Sequence, residues 1–520
     1  MQLLADMFTN VLQCEWVPPE SWKISFVTVL FKKGDPKLPS NYRPITLLPI
    51  LYKLFSRIVY SRMRPILEKA QKVDQAGFRS GFSCDDHLLA ITLLIETLAE
   101  YNLPLWICAI DFEKAFDSIE HPYLWKSLLE QGVDSQYVRV LAAMYEGQCG
   151  HILGGALSRL FLIGRGTKQG DPMSPGLFNA ALEKVFGNIV GKWHAKGWGV
   201  PLENSLGDRL TNLRFADDVL LVASSKHQLK QMVADLIRSS DEGGLKIHGG
   251  KTKILTNDTT CRGGSVTIEG ASIEVLPVSG STVYLGKTLC LERAHDAEIE
   301  ARVDKAWKRF LGQKSDLCGK HVSLKTLLLL FKSTVTSTML YGSGTWTMTA
   351  TRERKLRTAQ RRMLRWMLGS FWQRPRSSNA SSDSSVSEPD WENQEADEAT
   401  QKPDEETWVD WIRRCTHNVE THMESLRIDD WVSGQRRRKW RLAGHTARRD
   451  DGRWSTAVLG LKPEMGSRSR GHPTKRWADD LDCFFGERFG LLRGLWRDAA
   501  QDREHWASLE DEFVSQSWFR

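Results

Sequence analysis

The chain has 520 residues, of which 41% are hydrophobic and 26% charged, and its formal net charge is +7 at pH 7. This length predicts two or more domains, and the composition and the absence of a long apolar run exclude a membrane-embedded protein. Residues 383–406 contain ten acidic residues and one lysine, so the rest of the chain carries about +16. Such a basic balance is typical of proteins that bind nucleic acid, although a merely basic enzyme has it too. The nine cysteines form no CxxC pair, which excludes a zinc knuckle and a disulfide framework.

Hydrophobic periodicity predicts a mixture of helices and strands in the first half of the chain. The predicted helices are Met1–Trp16, Leu51–Ala70, one that begins near Asp85, His121–Gln131, Ser135–Glu146, Leu177–Val190 and Lys226–Gly243. The predicted strands are Ser25–Phe31, Leu105–Ile110, Arg209–Ala216 and Val219–Ala223. A sheet with helices packed against it is therefore expected.

Three aspartates lie at the ends of the most apolar predicted strands. Asp111 follows Leu105–Ile110, while Asp217 and Asp218 separate two later strands and are expected at the tip of a tight hairpin. Alone, this Asp-Asp pair is more simply explained as a solvated turn. If the strands are neighbours in one sheet, however, Asp111 and Asp217 meet at its edge. Adjacent carboxylates require a cation, and magnesium prefers oxygen ligands, so the pattern predicts a two-metal phosphoryl-transfer site.

Basic and glycine-bearing loops lie between these elements. They are Lys32–Asp35, Asn41–Pro44, Gln75–Ser83 and Arg165–Pro175. Cations on such turns can clamp a triphosphate or a nucleic-acid backbone, although a solvated loop explains any one of them equally well.

The ordered series of these motifs resembles the reverse transcriptases of non-LTR (LINE-type) retrotransposons. The series comprises Lys32–Asp35 with Asn41–Ile45, Gln75–Ser83, Asp111–Asp117, Gln169–Phe178, Phe215–Asp218, Gly244–Lys253 and Tyr284–Gly286. The resemblance spans about residues 20–290. It implies an α+β fold of the right-hand polymerase type, with fingers, a palm containing an antiparallel sheet, and a helical thumb. The implied function is RNA-directed DNA polymerase activity, in which a primer 3′-hydroxyl is extended with dNTPs by a two-metal mechanism during retrotransposition.

The resemblance also implies a role for individual residues. Asp111 and Asp217 match the metal-binding aspartates, and Asp218 matches the second member of the catalytic pair. Phe116 matches the aromatic gate that excludes a ribose 2′-hydroxyl. The other implied nucleotide-binding residues are Lys32, Arg43, Phe112, Gln169, Gly170 and Lys251, and Arg79 is implied near the template. The implied cofactor is two Mg²⁺ ions, with Mn²⁺ as a possible substitute.

The predicted domain organisation has four parts. Residues 1–290 form fingers and palm, 291–372 a helical thumb, 373–407 a disordered acidic Ser-rich linker, and 408–520 a basic Trp-rich C-terminal domain. Thumb helices are predicted over Asp296–Leu311, Leu324–Tyr341 and Arg352–Leu368, with basic faces that could grip a template–primer backbone. The nine tryptophans of the C-terminal part are either core anchors, the commoner case, or stacking platforms for nucleic-acid bases.

The expected partners are an RNA template, a DNA primer or target, and dNTPs, with no membrane partner. The finger region begins close to Met1, so the chain is expected to be a truncated copy without the endonuclease that usually precedes it. The expected location is the nucleus and cytoplasm, as a ribonucleoprotein. The alternative function is a catalytically idle retrotransposon relic that only binds nucleic acid. An intron-encoded maturase is the weaker third hypothesis, and Phe116 disfavours a viral RNA-dependent RNA polymerase.

Overall fold

The computed structural model describes residues 2–13, 16–154, 157–202, 209–261, 263–319, 321–369, 407–463, 465–468, 471, 474–490 and 494–516. These residues form two compact units: Met1–Ala294 with Arg449–Thr474, and His295–Arg448 with Lys475–Arg520. Residues 449–474 thus pack with the first unit, although the predicted C-terminal domain included them. The predicted linker 373–407 lies outside the described residues, apart from Thr407.

Nine helices precede residue 294 among the described residues of the first unit; seven agree with the predicted ones to within about five residues, and the short helices α2 and α5 were not predicted. Their bounds are α1 (Gln2–Leu12), α2 (Glu20–Lys23), α3 (Ile50–Ala70), α4 (Cys84–Glu100), α5 (Ala115–Ser118), α6 (His121–Glu130), α7 (Ser135–Tyr145), α8 (Ser174–Ala195) and α9 (Lys226–Asp241). Local capping explains some of these bounds. Helix α4 begins where Ser83 and Asp86 form a capping box, and α9 begins where the Ser225 side chain accepts a hydrogen bond from the Gln228 backbone.

The strands of the first unit belong to two larger sheets and two short hairpins. Their bounds are β1 (Ile24–Phe31), β2 (Tyr42–Leu47), β3 (Trp106–Ile110), β4 (Cys149–Leu153), β5 (Phe161–Leu162), β6 (Val200–Pro201), β7 (Arg209–Leu210), β8 (Asn212–Phe215), β9 (Asp218–Ala223), β10 (Lys253–Thr256), β11 (Gly264–Ile268), β12 (Ala271–Val275), β13 (Ser281–Tyr284) and β14 (Lys287–Cys290). The larger sheet has the order β11-β12-β10-β3-β9-β8, and it is antiparallel except between β10 and β12. The smaller sheet has the order β2-β1-β4-β5.

Strands β3 and β9 of the larger sheet are almost entirely apolar because both of their faces are covered. Every residue of β9 after Asp218 is buried, and helices α8 and α9 contribute to the same core. Removing this apolar surface from water contributes about 25 cal/mol per Å² buried. The carboxylates at the strand ends therefore stand on a rigid support.

The second unit is helical. Its elements are α10 (Ala294–Gly312), α11 (Lys314–Leu317), α12 (Leu324–Phe331), a π-helical turn (Lys332–Thr336), α13 (Ser337–Met339), α14 (Ala350–Met367), α15 (Trp408–Ser425) and α16 (Trp431–Ala447). Helix α17 (Trp454–Leu459) belongs to the first unit. The second unit ends with α18 (Asp479–Phe489), α19 (Trp496–Ala499), α20 (Arg503–Ser508) and α21 (Glu510–Ser515). No helix of the described residues is both long and apolar enough to cross a bilayer.

The helix predicted over Leu324–Tyr341 runs without a break from Leu324 to Met339, but it contains the π-helical turn, which the prediction did not include. The hydroxyls of Ser333 and Thr334 donate to the Leu330 carbonyl at 3.0 and 2.7 Å, at the point where the helix widens into the π-helical turn. Side-chain hydroxyls that bond to a carbonyl one turn earlier compete with the regular ladder and bend helices.

Five tryptophans of the second unit are core anchors. Trp431, Trp440, Trp477, Trp496 and Trp506 are each at most 3% exposed. The rings of Trp440 and Trp506 stack with their centroids 3.8 Å apart, and each indole donates to the other's backbone carbonyl. Buried rings are not available for base stacking, so the commoner of the two explanations holds for these five residues.

Candidate active site

Three carboxylates meet where β3 ends and β9 begins. Ile110 pairs with Val219, so Asp111 lies beside Asp218 across the two strands. Phe215 pairs with Asp218, which leaves Ala216 and Asp217 as the two-residue turn between β8 and β9. This corrects one detail of the prediction, because Asp218 is the first residue of β9 and does not lie at the hairpin tip. Asp111 and Asp217 were expected to meet if their strands were neighbours in one sheet, and β3 and β9 are such neighbours.

The three carboxylates repel one another. Desolvation, reinforced by Asp217 and Asp111, raises the pKa of Asp218 to about 6, although its side chain remains exposed to solvent in the cleft. Desolvation and the charge of Asp111 also raise the pKa of Asp217, and Arg43 and Lys32 partly offset the rise. Neighbouring carboxylates with raised pKa values are typical of sites that bind a cation.

The donor set fits a hard divalent cation. Carboxylate oxygens are the ligands that such ions prefer, and a bound dication would remove the repulsion that raises both pKa values. Among the described residues, no group of three or more His, Cys, Asp or Glu side chains is arranged so that it could hold a metal ion by itself, so substrate oxygens would have to complete the coordination here. An open site of this kind leaves coordination positions for substrate oxygens.

Asp111 is held by the segment that precedes β10. Its backbone N–H donates to the Thr252 hydroxyl at 3.2 Å, and its carbonyl accepts from the His248 N–H at 2.7 Å. The Lys251 ammonium lies 3.8 Å from the Asp111 carboxylate. Sequence analysis assigned Lys251 to the nucleotide, and its nearest charged partner in the structure is this aspartate. Thr252, fully buried, was missed.

The loop before α4 holds the hairpin turn. The Gln75 side-chain oxygen accepts from the Ala216 N–H at 2.9 Å and from the Gly77 N–H at 2.8 Å. A Cβ on Gly77 would lie 2.3 Å from the Ala216 nitrogen, so only glycine allows this approach. Ala216 has a φ of +54°, a strained value for a residue with a side chain. Sequence analysis identified the Gln75–Ser83 motif but missed this role.

A buried arginine lies behind the same turn. Arg214 on β8 is 1% exposed, and its guanidinium lies 3.5 Å from the Asp74 carboxylate and 3.1 Å from that of Glu183. It also stacks over the Phe186 ring, 4.5 Å from the centroid. The signal for this residue was present in the sequence, since an arginine beside Leu213 and Phe215 in an apolar strand requires a buried partner.

Two cations face the carboxylates from the smaller sheet. Arg43 on β2 pairs with Leu30, and Lys32 lies two residues after Leu30, so Arg43 and Lys32 share one face of the sheet. Both lower the pKa of Asp217 and so lie within electrostatic reach of it. A polyanion bound between these cations and the aspartates would be neutralised from both sides.

Phe116 lies on α5, five residues after Asp111, whereas the Phe112 side chain lies in the hydrophobic core. The Phe116 ring stacks on Phe178 of α8 with centroids 4.3 Å apart, and its edge meets Phe78 at 6.3 Å. Phe112 is 7% exposed and belongs to the main hydrophobic core. A nucleotide could therefore contact Phe112 only through its backbone.

The loop that carries Gln169 and Gly170 is fixed on two sides. The Gln169 side chain donates to the Asp117 carboxylate at 2.9 Å, and its carbonyl accepts from the Thr46 N–H at 2.7 Å. A Cβ on Gly170 would lie 2.5 Å from the Thr46 carbonyl oxygen, and Gly170 has a φ of +124°. Close approach to β2 therefore requires glycine at this position.

Arg79 makes intramolecular contacts at the end of α3. It donates to the carbonyls of Lys72 and Gln75 at 2.6 and 2.9 Å, and it forms an ion pair with Glu68 at 3.3 Å. It also lies over the Phe82 ring at 4.4 Å. Arg79 thus orders the loop beside the catalytic hairpin, and its predicted contact with a template stays a prediction.

Basic side chains line two open cavities in the second unit. One, of about 680 Å³, combines cations with hydroxyls and is lined by Arg302, Lys305, Lys308, Arg309, Ser333, Thr334, Ser337, Thr338 and Tyr341. The other, of about 640 Å³, is lined mainly by α14 and includes Arg354, Arg357, Arg361, Arg365 and Arg436. Several arginines of the second cavity form ion pairs, such as Arg357 with Asp430 and Arg361 with Glu420. Lys308 and Arg309 in the first cavity are solvent-exposed.

Known proteins are similar to the part of the chain that carries these residues. Residues 31–289 match the family described as reverse transcriptase (RNA-dependent DNA polymerase). A transposon-derived protein of Caenorhabditis elegans is 27% identical over 305 residues, which is 58% of this chain and 96% of the relative. The Pol polyprotein of the type-2 retrotransposable element R2DM of Drosophila melanogaster is 27% identical over 45% of this chain and 21% of its own length.

A further relative and a solved structure are also similar to parts of this chain. A 149 kDa protein of transposon TX1 from Xenopus laevis is 30% identical over 41% of this chain and 16% of its own length. The telomerase of Candida albicans, solved with a fragment of telomeric RNA, aligns with a TM-score of 0.39 at 13% identity, over 70% of this chain and 66% of the telomerase chain.

The chain spans almost all of the nematode relative but at most about a fifth of the R2DM and TX1 proteins. The larger sheet carries the three carboxylates within the matched residues, and reverse transcriptases depend on divalent metal ions. With its reverse transcriptase domain over residues 31–289 and its retrotransposon relatives, the chain belongs to the reverse transcriptases of non-LTR retrotransposons, which are RNA-directed DNA polymerases.

Proposed function

We propose that this chain extends a primer 3′-hydroxyl with dNTPs on an RNA template, with Mg²⁺ as its metal. The observation that carries the proposal is the cluster of Asp111, Asp217 and Asp218, where desolvation together with mutual repulsion raises the pKa values of Asp217 and Asp218 opposite the cations Lys32 and Arg43. A dNTP–magnesium complex has the complementary charge on both sides. An idle protein gains nothing from such repulsion, which costs stability.

Each residue of the cleft has a separate task in this proposal. Asp111 and Asp217 would hold two Mg²⁺ ions, and Asp218 would contribute mainly to the negative field. When bound, these ions would make the primer 3′-hydroxyl more acidic and neutralise the charge that develops on the leaving pyrophosphate. Lys32 and Arg43 would bind the triphosphate oxygens as charge-assisted hydrogen-bond donors.

The sugar and base of the nucleotide would lie between the two glycine-dependent loops. Phe116, supported by its stack on Phe178, would exclude a 2′-hydroxyl and thereby select dNTPs. Gln169 and Gly170, held against β2, would form the opposite wall. Burial of the supporting contacts keeps these groups within the small tolerance that in-line attack requires.

The second unit is proposed to serve as the thumb. Its cavity with Lys305, Lys308 and Arg309 would bind phosphates of the template–primer duplex through charge. The primer is proposed to be a nicked DNA target. The protein would act as a ribonucleoprotein with its template, in the nucleus and cytoplasm.

The test is primer extension on an RNA template with dNTPs and Mg²⁺. We expect the wild type to extend the primer and Asp217→Ala to lose at least about 1000-fold in rate, because several kcal/mol of transition-state stabilisation disappear with a metal ligand. Asp6→Ala, which removes an exposed carboxylate on α1, is the matched control and should retain full activity. A folded but inactive wild type would favour the idle, nucleic-acid-binding relic.

A further inference from the structure

The segment after α16 returns to the first unit and packs beside the loop that holds the catalytic hairpin. We propose that Arg449, Arg453 and Trp454 are positioning residues of the polymerase site, acting through the loop 74–86 on the turn that carries Asp217. The proposal deepens the proposed function and rests on the assignment of Asp217 to that site. Neither the reverse transcriptase match over residues 31–289 nor the sequence motifs include this segment.

The first contact is a buried ion-pair cluster at the start of α4. Arg449 and Arg453 bind the two oxygens of the Asp86 carboxylate, with Arg453 at 3.0 Å, and Asp86 is 2% exposed. Both guanidiniums also donate to the Gly81 carbonyl, at 3.0 and 2.9 Å. Arg453 lies 3.8 Å over the Phe82 ring. The loop is therefore held at its backbone, its aromatic ring and its capping carboxylate by two side chains from over 360 residues later.

The second contact is at the other end of the loop. The indole N–H of Trp454 donates to the Asp74 carboxylate at 3.0 Å, and both residues are 7% exposed. The other oxygen of Asp74 faces the Arg214 guanidinium, and the Asp74 carbonyl accepts from the Arg214 N–H at 2.7 Å. Trp454 is thus one residue removed from β8, which leads directly into the catalytic turn.

The loop passes this restraint to the hairpin through one further backbone hydrogen bond and one bond to the Gln75 side chain. The Ala76 N–H donates to the Arg214 carbonyl at 2.8 Å, and the Gln75 side chain accepts from both Gly77 and Ala216. Ala216 has a positive φ, so the turn persists only because its surroundings hold it. Loosening the loop should allow the turn, and with it Asp217, to relax.

The charges around His87 agree with this arrangement. Desolvation, together with the charges of Arg214 and Arg453, lowers the pKa of His87 to about 3. One cation belongs to the catalytic hairpin strand and the other to the returning segment, so both lie within electrostatic reach of one buried imidazole. Its Nδ1 lies 3.2 Å from the Tyr284 hydroxyl.

The test uses point variants of the full chain. Trp454→Phe keeps the ring but removes the N–H donor, and Arg453→Ala and Arg453→Lys compare loss of the cation with loss of its fork. We expect kcat to fall about fivefold in Trp454→Phe, with the KM for dNTP unchanged, because one net hydrogen bond is lost from the support of the site. Arg453→Lys should retain more of the wild-type kcat than Arg453→Ala.

Amide hydrogen exchange gives a readout that does not depend on activity. In Trp454→Phe we expect faster exchange both in peptides covering 74–83 and in those covering 212–219, where the Ala76 and Ala216 N–H groups are bonded. Arg468→Ala is the matched control, because Arg468 lies on the same segment but forms its ion pair at 2.8 Å with Glu100, at the far end of α4. It should leave exchange in both peptides unchanged.

The outcomes separate this proposal from the proposed function. Unchanged exchange over 212–219 in both Trp454→Phe and Arg453→Ala would overturn the positioning role, whatever the activity. Faster exchange there, in a wild type that does not extend primers, would support the positioning role and refute the proposed function. A fall in kcat with an unchanged KM for dNTP, together with faster exchange over 212–219, would support both the positioning role and the proposed function.

Discussion

Asp218 is the first residue of β9, and the fold disfavours the ionised form of its carboxyl group. Its neighbours Asp217 and Asp111 each make ionisation harder, and Arg43 alone among its charged surroundings makes it easier. In the metal-free protein the ionised form is therefore a cost at neutral pH. A bound dication would reverse that balance, which links stability, pH and metal binding at one residue.

The pH dependence of stability tests this directly. The folded-state pKa of Asp218, about 6, lies above the value of 3.8 for a free carboxyl, so folding favours the protonated form. The destabilisation is small at or below about pH 4, develops as the pH rises from about 4 to about 6, and is constant above that range. We therefore expect Asp218→Asn to raise the free energy of unfolding of the metal-free protein at pH 7.5 by about 1 kcal/mol, a value reduced for solvent screening.

Chemical unfolding in EDTA at pH 4 and at pH 7.5 would measure this difference. Only a small gain is expected at pH 4, where the folded wild type and the variant are both largely neutral at this position. A variant that is equally stabilised at both pH values would mean that packing, and not charge, causes the effect.

Sugar selection is the second prediction at the residue scale. Phe116→Ala removes the ring beside the catalytic carboxylates, and we expect the preference for dNTP over rNTP to fall about 10- to 200-fold, as for other steric discriminations. Phe178→Leu removes the stacking partner but leaves the gate ring in place, so its loss should be smaller. Steady-state kcat/KM for both nucleotide types would measure the ratio. Equal ratios in the wild type and Phe116→Ala would refute the gate.

At the scale of elements, the catalytic hairpin depends on a neighbouring loop as much as on its own strands. Its turn contains a strained alanine, and the groups that hold it come from Gln75 and Gly77, over 130 residues earlier. Loop 165–171 depends in a similar way on β2. Both loops reach their partners because glycine allows backbones to approach without a Cβ.

Gly77→Ala should disrupt the hairpin. The added Cβ would lie 2.3 Å from a backbone nitrogen, and backbone cannot move away cheaply, so we expect a loss of about 2–3 kcal/mol in the free energy of unfolding. Primer extension should fall more than about tenfold, since the displaced turn carries Asp217. Thermal unfolding and extension assays on the purified variant would measure both effects.

Gly187→Ala provides the matched control for this substitution. Gly187 lies within α8, and a Cβ there would meet nothing within 4 Å. We expect a gain of about 0.5–1 kcal/mol in stability, because alanine favours the helix interior over glycine. If both variants behaved alike, steric contact with Ala216 would not be the cause of the effect at Gly77.

At the scale of the whole molecule, the described basic surface of the second unit is divided between structural and free cations. Arg357, Arg361 and Arg436 form ion pairs with carboxylates of their own unit, whereas Lys308 and Arg309 are exposed beside a hydroxyl-lined cavity. Net charge alone therefore overstates the surface available to nucleic acid. The exposed pair is the better place to look for phosphate contacts.

The salt dependence of binding tests this division. We expect Lys308→Ala and Arg309→Ala each to reduce the slope of log K against log [salt] for an RNA–DNA duplex by about one. Lys126→Ala on α6, an exposed lysine outside both cavities, should leave the slope unchanged. Fluorescence anisotropy at several salt concentrations would measure the slopes. If all three variants had the wild-type slope, this cavity would not be the duplex site.

Sequence alone determined the elements and their order, because hydrophobic periodicity is local information. The strand before Asp111 and the helices α3, α6, α7 and α9 begin and end within a few residues of their predicted bounds. The motif series also identified the three aspartates as one site. Such patterns depend on residues close together in the chain, where 2.0- and 3.6-residue periods are visible.

Only the tertiary structure decided what supports the site. Gln75, Gly77, Arg214 and Thr252 act through contacts with residues far away in the sequence, and no local pattern specifies such partners. The same holds for Trp454, which packs with the first unit although a long helical region separates the two in sequence. Burial and charge pairing arise when the chain folds, so the position of Asp217 depends on contacts that the linear sequence does not display.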